Sequence, residues 1–476
     1  MTSTPTSTSR ISILQFFYLA SSLVFSVYVY SALATSGFSL VFFVLATVLF
    51  FFIPSALVSA ELATVKDWGS GGVYKWCGLA LGKRWGFFAA FCQWFQVTIA
   101  FIAMLYFMVG SLSHVVDISF ITSNAYLKFI FVISIFWLIT LLSLKGPTIA
   151  NKIANIGTSF GLILPVIALI VLTALYVFDG HTINIAFTWR TFFPKSLNVA
   201  DLSIFVTFLF AYVGIEVSAN NVNKLDNPKK NYPLALLLII IAAFLFSVLA
   251  SLSIAVIIPE KEINMSEGFL QAFGAIFKIY NAEWLVSVTG VSLIIGVVAK
   301  VISWISGPSE GMVEAAKAKI LPDYFSKMDK NGTPYVFILA QALLVTIWAY
   351  VLIILVDDGT DLPYLLAMNL SSIIYLAMYT VLFLSYFLLK VRYPNDERTF
   401  VVPGGKTGQR IVPTIGLLTV CFAIAISFFP PSHLKSQNTT SSYEVVLISS
   451  FIIVMLLPNI IYSCRKKYIS SASTTS

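Results

Sequence analysis

Apolar residues fill long stretches of this chain, and short polar segments rich in Gly, Pro, Lys and Asn separate them. Twelve stretches, at 13–34, 38–61, 86–110, 127–144, 155–178, 199–222, 232–258, 284–306, 334–356, 362–389, 411–430 and 443–463, are apolar over about the 20 residues that a helix needs to cross a hydrocarbon core. The expected fold class is therefore an all-α membrane protein with twelve transmembrane helices. An even number of crossings puts both ends of the chain on one side. The expected layout is an N-terminal tail at 1–12, one transmembrane domain at 13–463 and a short basic tail at 464–476. Met1 to Ser9 are polar, Arg10 precedes the first apolar run, and no small-residue cleavage pattern closes that run, so the first helix is expected to be retained.

Composition agrees with this pattern. Of 476 residues, 58% are hydrophobic and 11% charged, and the mean hydropathy is +0.91. A soluble domain carries about 25% charged residues, so water is not the main solvent of this chain. Charge then sets orientation. Of the 29 Lys and Arg residues, 22 fall in the tails and connections on the side of the N-terminus, 6 fall on the other side, and Lys300 lies within a span. Basic residues concentrate on the cytoplasmic side of a membrane, so both termini are expected on that side. The formal net charge of +8 is spread over many loops, which argues against a nucleic-acid partner. Glu260, Glu262, Glu267, Asp357, Asp358 and Asp361 gather on the opposite side and read as a solvated loop face.

Cys77, Cys92, Cys421 and Cys464 have no metal-ligand spacing, and His114, His181 and His433 fall in short connections. No metal or cofactor is expected. Two spans carry marks of interruption. The first holds Ser21, Ser22 and Ser26 among β-branched Val24 and Val27, with Ala34-Thr35-Ser36-Gly37 as a stop; the sixth holds Tyr212-Val213-Gly214-Ile215-Glu216. Five spans separate their starts, so they run in opposite senses. That is the arithmetic of an inverted repeat, spans 1–5 (about 13–178) against 6–10 (about 199–389), with spans 11 and 12 (about 411–463) added. At such breaks freed N–H groups hold anions and freed carbonyls hold cations, although glycine and serine also serve close helix packing.

Glu216 and Lys300 are the ionisable side chains well inside the predicted spans. Each costs about 2.5–3.5 kcal/mol at the bilayer centre on insertion scales, which makes both functional candidates. Lys300 lies near the predicted inner end of span 8, so it could also snorkel to the interface. The functional expectation is that it pairs with Glu216 when no substrate is bound and with a substrate carboxylate otherwise.

Several motifs together resemble the bacterial glutamate/GABA antiporters of the amino acid-polyamine-organocation superfamily: Ala34-Thr35-Ser36-Gly37-Phe38-Ser39, Pro54 with Ala60-Glu61-Leu62-Ala63-Thr64, Gly71-Gly72-Val73-Tyr74, Leu81-Gly82-Lys83-Arg84-Trp85-Gly86, Gly214-Ile215-Glu216-Val217-Ser218, Asn227-Pro228, Tyr232-Pro233, Ser303-Trp304, Gly307-Pro308-Ser309, Asn331-Gly332 and Pro403-Gly404-Gly405-Lys406. The resemblance spans nearly the whole chain. It implies a LeuT-like inverted five-helix repeat, exchange of amino acids coupled in effect to proton consumption, and through it acid resistance. It also implies substrate-binding roles for Tyr28, Tyr30, Glu216, Trp304, Tyr375 and Tyr379, to which the reading of the breaks adds Ser21, Ser22, Tyr212, Gly214 and Lys300. Tyr375 and Tyr379 are four apart and so share one helix face. The chain departs from the family pattern at Ser31, where a proline is expected, at Lys300, where a glutamate is usual, and at Glu310, where a basic residue is expected.

The implied partners are small-molecule amino acids and the lipid bilayer, with monomer and homodimer both open. A proton-coupled symporter, or an exchanger of basic amino acids and polyamines, stands as the alternative within transport; Glu216 suits cationic substrates and Lys300 repels them. A membrane-embedded enzyme is disfavoured, because no metal-ligand cluster, Ser/Lys dyad or phosphate loop lies at membrane depth. A channel lacks a ring-forming selectivity motif.

Overall fold

The computed structural model describes residues 10–65, 68, 71–196, 198–219, 221–222, 225–357, 359–431 and 437–473. Within them, twelve helices are long and apolar enough to cross a membrane: helix 1 (Ile13–Ala34), 2 (Gly37–Ala63), 3 (Lys83–Ser113), 4 (Ala125–Ser143), 5 (Lys152–Phe178), 6 (Val199–Ala219), 7 (Lys230–Ile257), 8 (Trp284–Lys317), 9 (Tyr335–Val356), 10 (Leu362–Arg392), 11 (Gly405–Ser427) and 12 (Tyr443–Arg465). The described residues form no β-strand, only two isolated bridges, Ile11 to Leu225 and Val65 to Arg398. The all-α, twelve-span expectation holds. Of the residues named above, His433, Asp358 and residues 1–9 lie outside the described residues, as do Lys66, Lys224 and Lys435, which belong to the count of basic residues.

Helix 1 starts where Ser12 and Gln15 form a reciprocal cap. Gln15 N–H donates to Ser12 Oγ at 3.3 Å and Ser12 N–H to Gln15 Oε1 at 2.9 Å, satisfying two donors that a helix start leaves open. Helices 3, 6 and 10 form the centre, and helices 4 and 12 the rim: 94% of the apolar window of helix 3 is buried, against 17% for helix 12. The exposed apolar residues of the rim face what would be lipid, which favours them as well as a protein core does. Helices 5 and 8 touch backbone to backbone. A Cβ at Gly161 would lie 2.2 Å from the backbone nitrogen of Gly296, so two facing glycines set the approach, and Ser292 Oγ donates across it to Phe160 O at 2.5 Å.

Two expectations change. Helix 8 continues past 306 to Lys317, and the added turns pack inside the bundle, with Gly307 against Val217 of helix 6 and Gly311 near Gln93 of helix 3. Lys300 is therefore far from that helix end and only 1% exposed, and its side chain does not snorkel. The acidic face is also more than a solvated loop. Asp357 accepts from Lys128 Nζ at 2.6 Å and from Tyr106 Oη at 3.0 Å, and Asp361 accepts from Met265 N–H at 3.2 Å. Burial pushes the Asp361 carboxyl above its ordinary pKa; the Met265 N–H opposes the shift and Glu267 adds to it. At the other end of the bundle, Glu61 is fully buried and holds Lys390 at 2.6 Å, Arg398 at 3.1 Å and the Val402 N–H at 2.9 Å.

Candidate functional site

Helix 1 loses its ladder after Val24. Phe25 is extended (φ −69°, ψ 119°), Ser26 is irregular (φ −119°, ψ 63°), and the chain then resumes as a short 3₁₀ turn, Val27–Val29, and a second half-helix, Tyr30–Ala34. The carbonyls of Leu23 and Phe25 no longer meet an N–H four residues on. Helix 8 fills that gap: Lys300 Nζ donates to Leu23 O at 2.9 Å and to Phe25 O at 2.8 Å, and Trp304 Nε1 donates to Leu23 O at 3.2 Å. Lys300 and Trp304 are one turn apart on one face of helix 8, so a single helix face grips the end of the first half-helix.

Helix 6 breaks between Phe205–Phe210 and Ile215–Ala219. Gly214 sits at φ +105°, a backbone region that disfavours any residue with a Cβ. Space forbids one as well, because a Cβ there would lie 2.6 Å from the Trp304 ring. The freed Gly214 N–H donates to Tyr379 Oη at 3.3 Å. Two residues later Glu216, 1% exposed, is caged by donors. Gln93 Nε2 donates to Oε1 at 2.8 Å, Tyr375 Oη donates to Oε1, and Tyr379 Oη donates to Oε2. Every one of these partners gives a proton, the arrangement that a carboxylate accepts. The Tyr375 and Tyr379 rings lie 5.2 Å apart, and Trp304 packs edge-on to Tyr375 at 6.1 Å.

Between the breaks lies a small cavity of about 10 Å³, room for a single water-sized molecule. Its walls are Ser26 and Tyr28 from the helix 1 break, Phe210 and Val213 from the helix 6 break, Gln96, Ala100 and Met104 from helix 3, and Lys300 and Trp304 from helix 8. That volume is far below the ~300–1,000 Å³ of sites for drug-sized ligands, so the pathway is closed here and its walls must part to admit a solute. The place is one where irregular backbone is tolerated at membrane depth, since it is buried in protein and lines a cavity.

Residues 11–456 match the model of a family described as amino acid permease. The chain belongs to the amino acid permease family. This permease is 38% identical over 96% of its length, and 91% of the relative's, to the glutamate/gamma-aminobutyrate antiporter of Lactococcus lactis subsp. lactis. It is 31% identical, over 89% of its length and 90% of the relative's, to an uncharacterized transporter of Legionella pneumophila. It is also 23% identical, over 85% of both chains, to a Lactococcus lactis protein named Probable agmatine/putrescine antiporter AguD. The permease is thus a multi-pass membrane transporter of small-molecule amino acids and not an enzyme, as the motifs implied.

Of the residues singled out in the sequence, the permease brings Tyr28, Gly214, Glu216, Lys300, Trp304, Tyr375 and Tyr379 together around the two breaks. Of these Tyr28, Lys300 and Trp304 line the cavity, and Gly214, Glu216, Tyr375 and Tyr379 do not; the remaining four are buried and bonded or packed elsewhere. The Ser22 hydroxyl donates to Leu19 O at 2.7 Å, Ser21 and Tyr30 are packed inside, and the Tyr212 hydroxyl bonds to Ser247 on helix 7. The expected pairing of Lys300 with Glu216 is not formed. Lys300 is spent on helix 1 carbonyls and Glu216 on helix 3 and helix 10 donors, so each charge is satisfied on its own side. Sequence reasoning passed over Gln93 and Gln96. They are the only amide side chains of helix 3, three apart in an apolar run, and that spacing was the available signal. Gln96 carries the network further: its Nε2 donates to Gln93 O at 3.3 Å and its Oε1 accepts from Ser371 Oγ at 2.6 Å.

Proposed function

We propose that this permease is an antiporter that takes up glutamate or a closely related acidic amino acid and releases a neutral or decarboxylated one, such as gamma-aminobutyrate, by alternating access at the cavity between the two breaks. The observation that carries the reading is the caged Glu216 next to the helix 6 break: three uncharged donors hold its carboxyl group and no cation pairs with it among the described residues, which leaves it as the acidic partner for an incoming ammonium. The substrate's α-amino group is drawn to Glu216. Its α-carboxylate meets the N–H groups that open the second half of helix 1, where a helix start leaves donors unpaired and carries a partial positive charge. Lys300 has three N–H donors, of which two are taken by Leu23 and Phe25. The third gives the cavity wall a positive group for an acidic side chain.

Kinship to the Lactococcus antiporter supports this substrate pair. The Lys and Arg asymmetry supports both termini lying in the cytoplasm, in a bacterial inner (plasma) membrane.

The test is counterflow. Purified permease in liposomes should accumulate labelled glutamate only when the lumen is preloaded with glutamate or gamma-aminobutyrate. Accumulation into empty liposomes at the same rate overturns exchange, and stimulation by agmatine or putrescine alone overturns the substrate pair.

A further inference from the structure

Lys300 keeps unusual company for a buried ammonium. Among the described residues no carboxylate forms an ion pair with it; it has Leu23 O at 2.9 Å, Phe25 O at 2.8 Å and the Tyr28 ring at 5.9 Å. Both carbonyls are open only because helix 1 stops at Val24. They form the C-terminal end of a half-helix, where the aligned peptide dipoles concentrate negative charge. In the low-polarity interior, such an end must be met by a donor or a cation. In transporters built on broken helices, unwound carbonyls of this kind are where sodium ions or protons sit. Here the positive charge arrives on a side chain from another helix.

We propose that Lys300 is the resident cation of the helix 1 break, its ammonium standing where a free monovalent cation would otherwise bind, so that exchange runs without a coupling metal ion. Three features of the site support this. The ammonium contacts backbone oxygens, the ligand class that alkali cations also take. It is 1% exposed, yet it lies on the cavity wall, so an ion entering by the substrate route would reach the same carbonyls. Trp304 Nε1 shares Leu23 O at 3.2 Å, which keeps the half-helix end docked on helix 8 when the lysine is replaced. Two of the Lys300 N–H groups on this view hold the break in the form that the substrate meets, while the third stays directed to the solute. Any motion of helix 1 against helix 8 during transport must carry or break this tether, which couples the state of the break to the state of the pathway.

The inference concerns the ion and not the solute, so its first test involves no amino acid. The thermal unfolding midpoint of purified full-length wild type should be the same in sodium chloride and in choline chloride of equal strength, choline being too bulky for the gap. Lys300→Ala should unfold at a lower temperature in choline chloride and recover by several degrees as sodium replaces choline, as ligand linkage requires. No sodium-dependent recovery in Lys300→Ala, or an equal sodium effect in wild type, overturns the proposal. Should Lys300→Ala not fold in either salt, Lys300→Gln, whose amide fills the gap without charge, supplies the folded parent, and Lys300→Ser, which leaves the gap open with a small hydroxyl, decides. A sodium-dependent midpoint in Lys300→Ser supports a cation site, and a sodium-independent one overturns it. Counterflow is the second readout. Wild-type exchange should be equal in both salts, and the exchange retained by the variant should rise about tenfold or more with sodium. If wild type shows no exchange of glutamate at all, the proposed substrate fails while the unfolding data still decide the cation.

Discussion

The two breaks solve the same physical problem with opposite charges. In helix 1 the exposed groups are carbonyls, and the charge that meets them, Lys300, comes from a different helix. In helix 6 the charge, Glu216, belongs to the broken helix itself, and neighbours on helices 3 and 10 supply neutral donors to hold it. The first break is thus closed from outside by a long side chain, whereas the second presents an anion that its surroundings keep in place. The lesson is that a matched pair of interruptions need not be chemically symmetric. One reads as a braced end and the other as a binding group.

That contrast predicts a ranking of effects. The largest belongs to Glu216→Gln, which keeps the shape but removes the charge. Loss of a buried charge that pairs with a ligand costs about 2–5 kcal/mol, so exchange measured by counterflow should fall by about two orders of magnitude or more while the protein remains folded; near-normal exchange would deny helix 6 its binding role. Next comes Gly214→Ala. Its φ of +105° and the Trp304 ring 2.6 Å from the new Cβ together set a cost of about 2–4 kcal/mol, seen as a lower unfolding midpoint along with weakened exchange.

The two tyrosines sharpen the comparison further. Tyr379 gives its proton to Glu216 Oε2 and also accepts the Gly214 N–H, whereas Tyr375 shares Oε1 with Gln93. Tyr379→Phe strands a buried N–H and an oxygen and should cost about 1.5–3 kcal/mol. Tyr375→Phe should cost less, a difference that substrate affinity by isothermal titration would resolve; the reverse order would mean that the cage is arranged otherwise in the working protein. The smallest effect is expected at helix 1. Trp304→Phe removes one of two helix 8 donors to Leu23 O while Lys300 remains, a loss of about 1 kcal/mol, visible as a shift in unfolding midpoint of a few degrees at most.

Much of this was legible along the chain. The twelve spans follow from apolar runs of bilayer length, because a membrane forces each crossing to satisfy its own backbone and to show apolar side chains outward. The positions of both breaks were legible too, as serines with β-branched neighbours in one span and a glycine beside a carboxylate in the other. Tyr375 and Tyr379 were readable as a same-face pair. Gln93 and Gln96 were not picked out, since an amide is only mildly costly in a span and its value depends on what lies opposite.

The sequence by itself determined that this chain crosses a membrane twelve times, where its first and sixth helices are interrupted, and which two charges lie deep inside. Its motifs also carried the family, because local patterns and local costs are written residue by residue. Only the tertiary structure decided that Lys300 serves helix 1 and not Glu216, that Glu216 is held by tyrosines and a glutamine, and that the Tyr212 hydroxyl is taken by Ser247. The reason is physical. Pairing between side chains on different helices depends on distances of a few ångströms set by packing, such as the glycine contact of helices 5 and 8, and no periodicity within one segment encodes them.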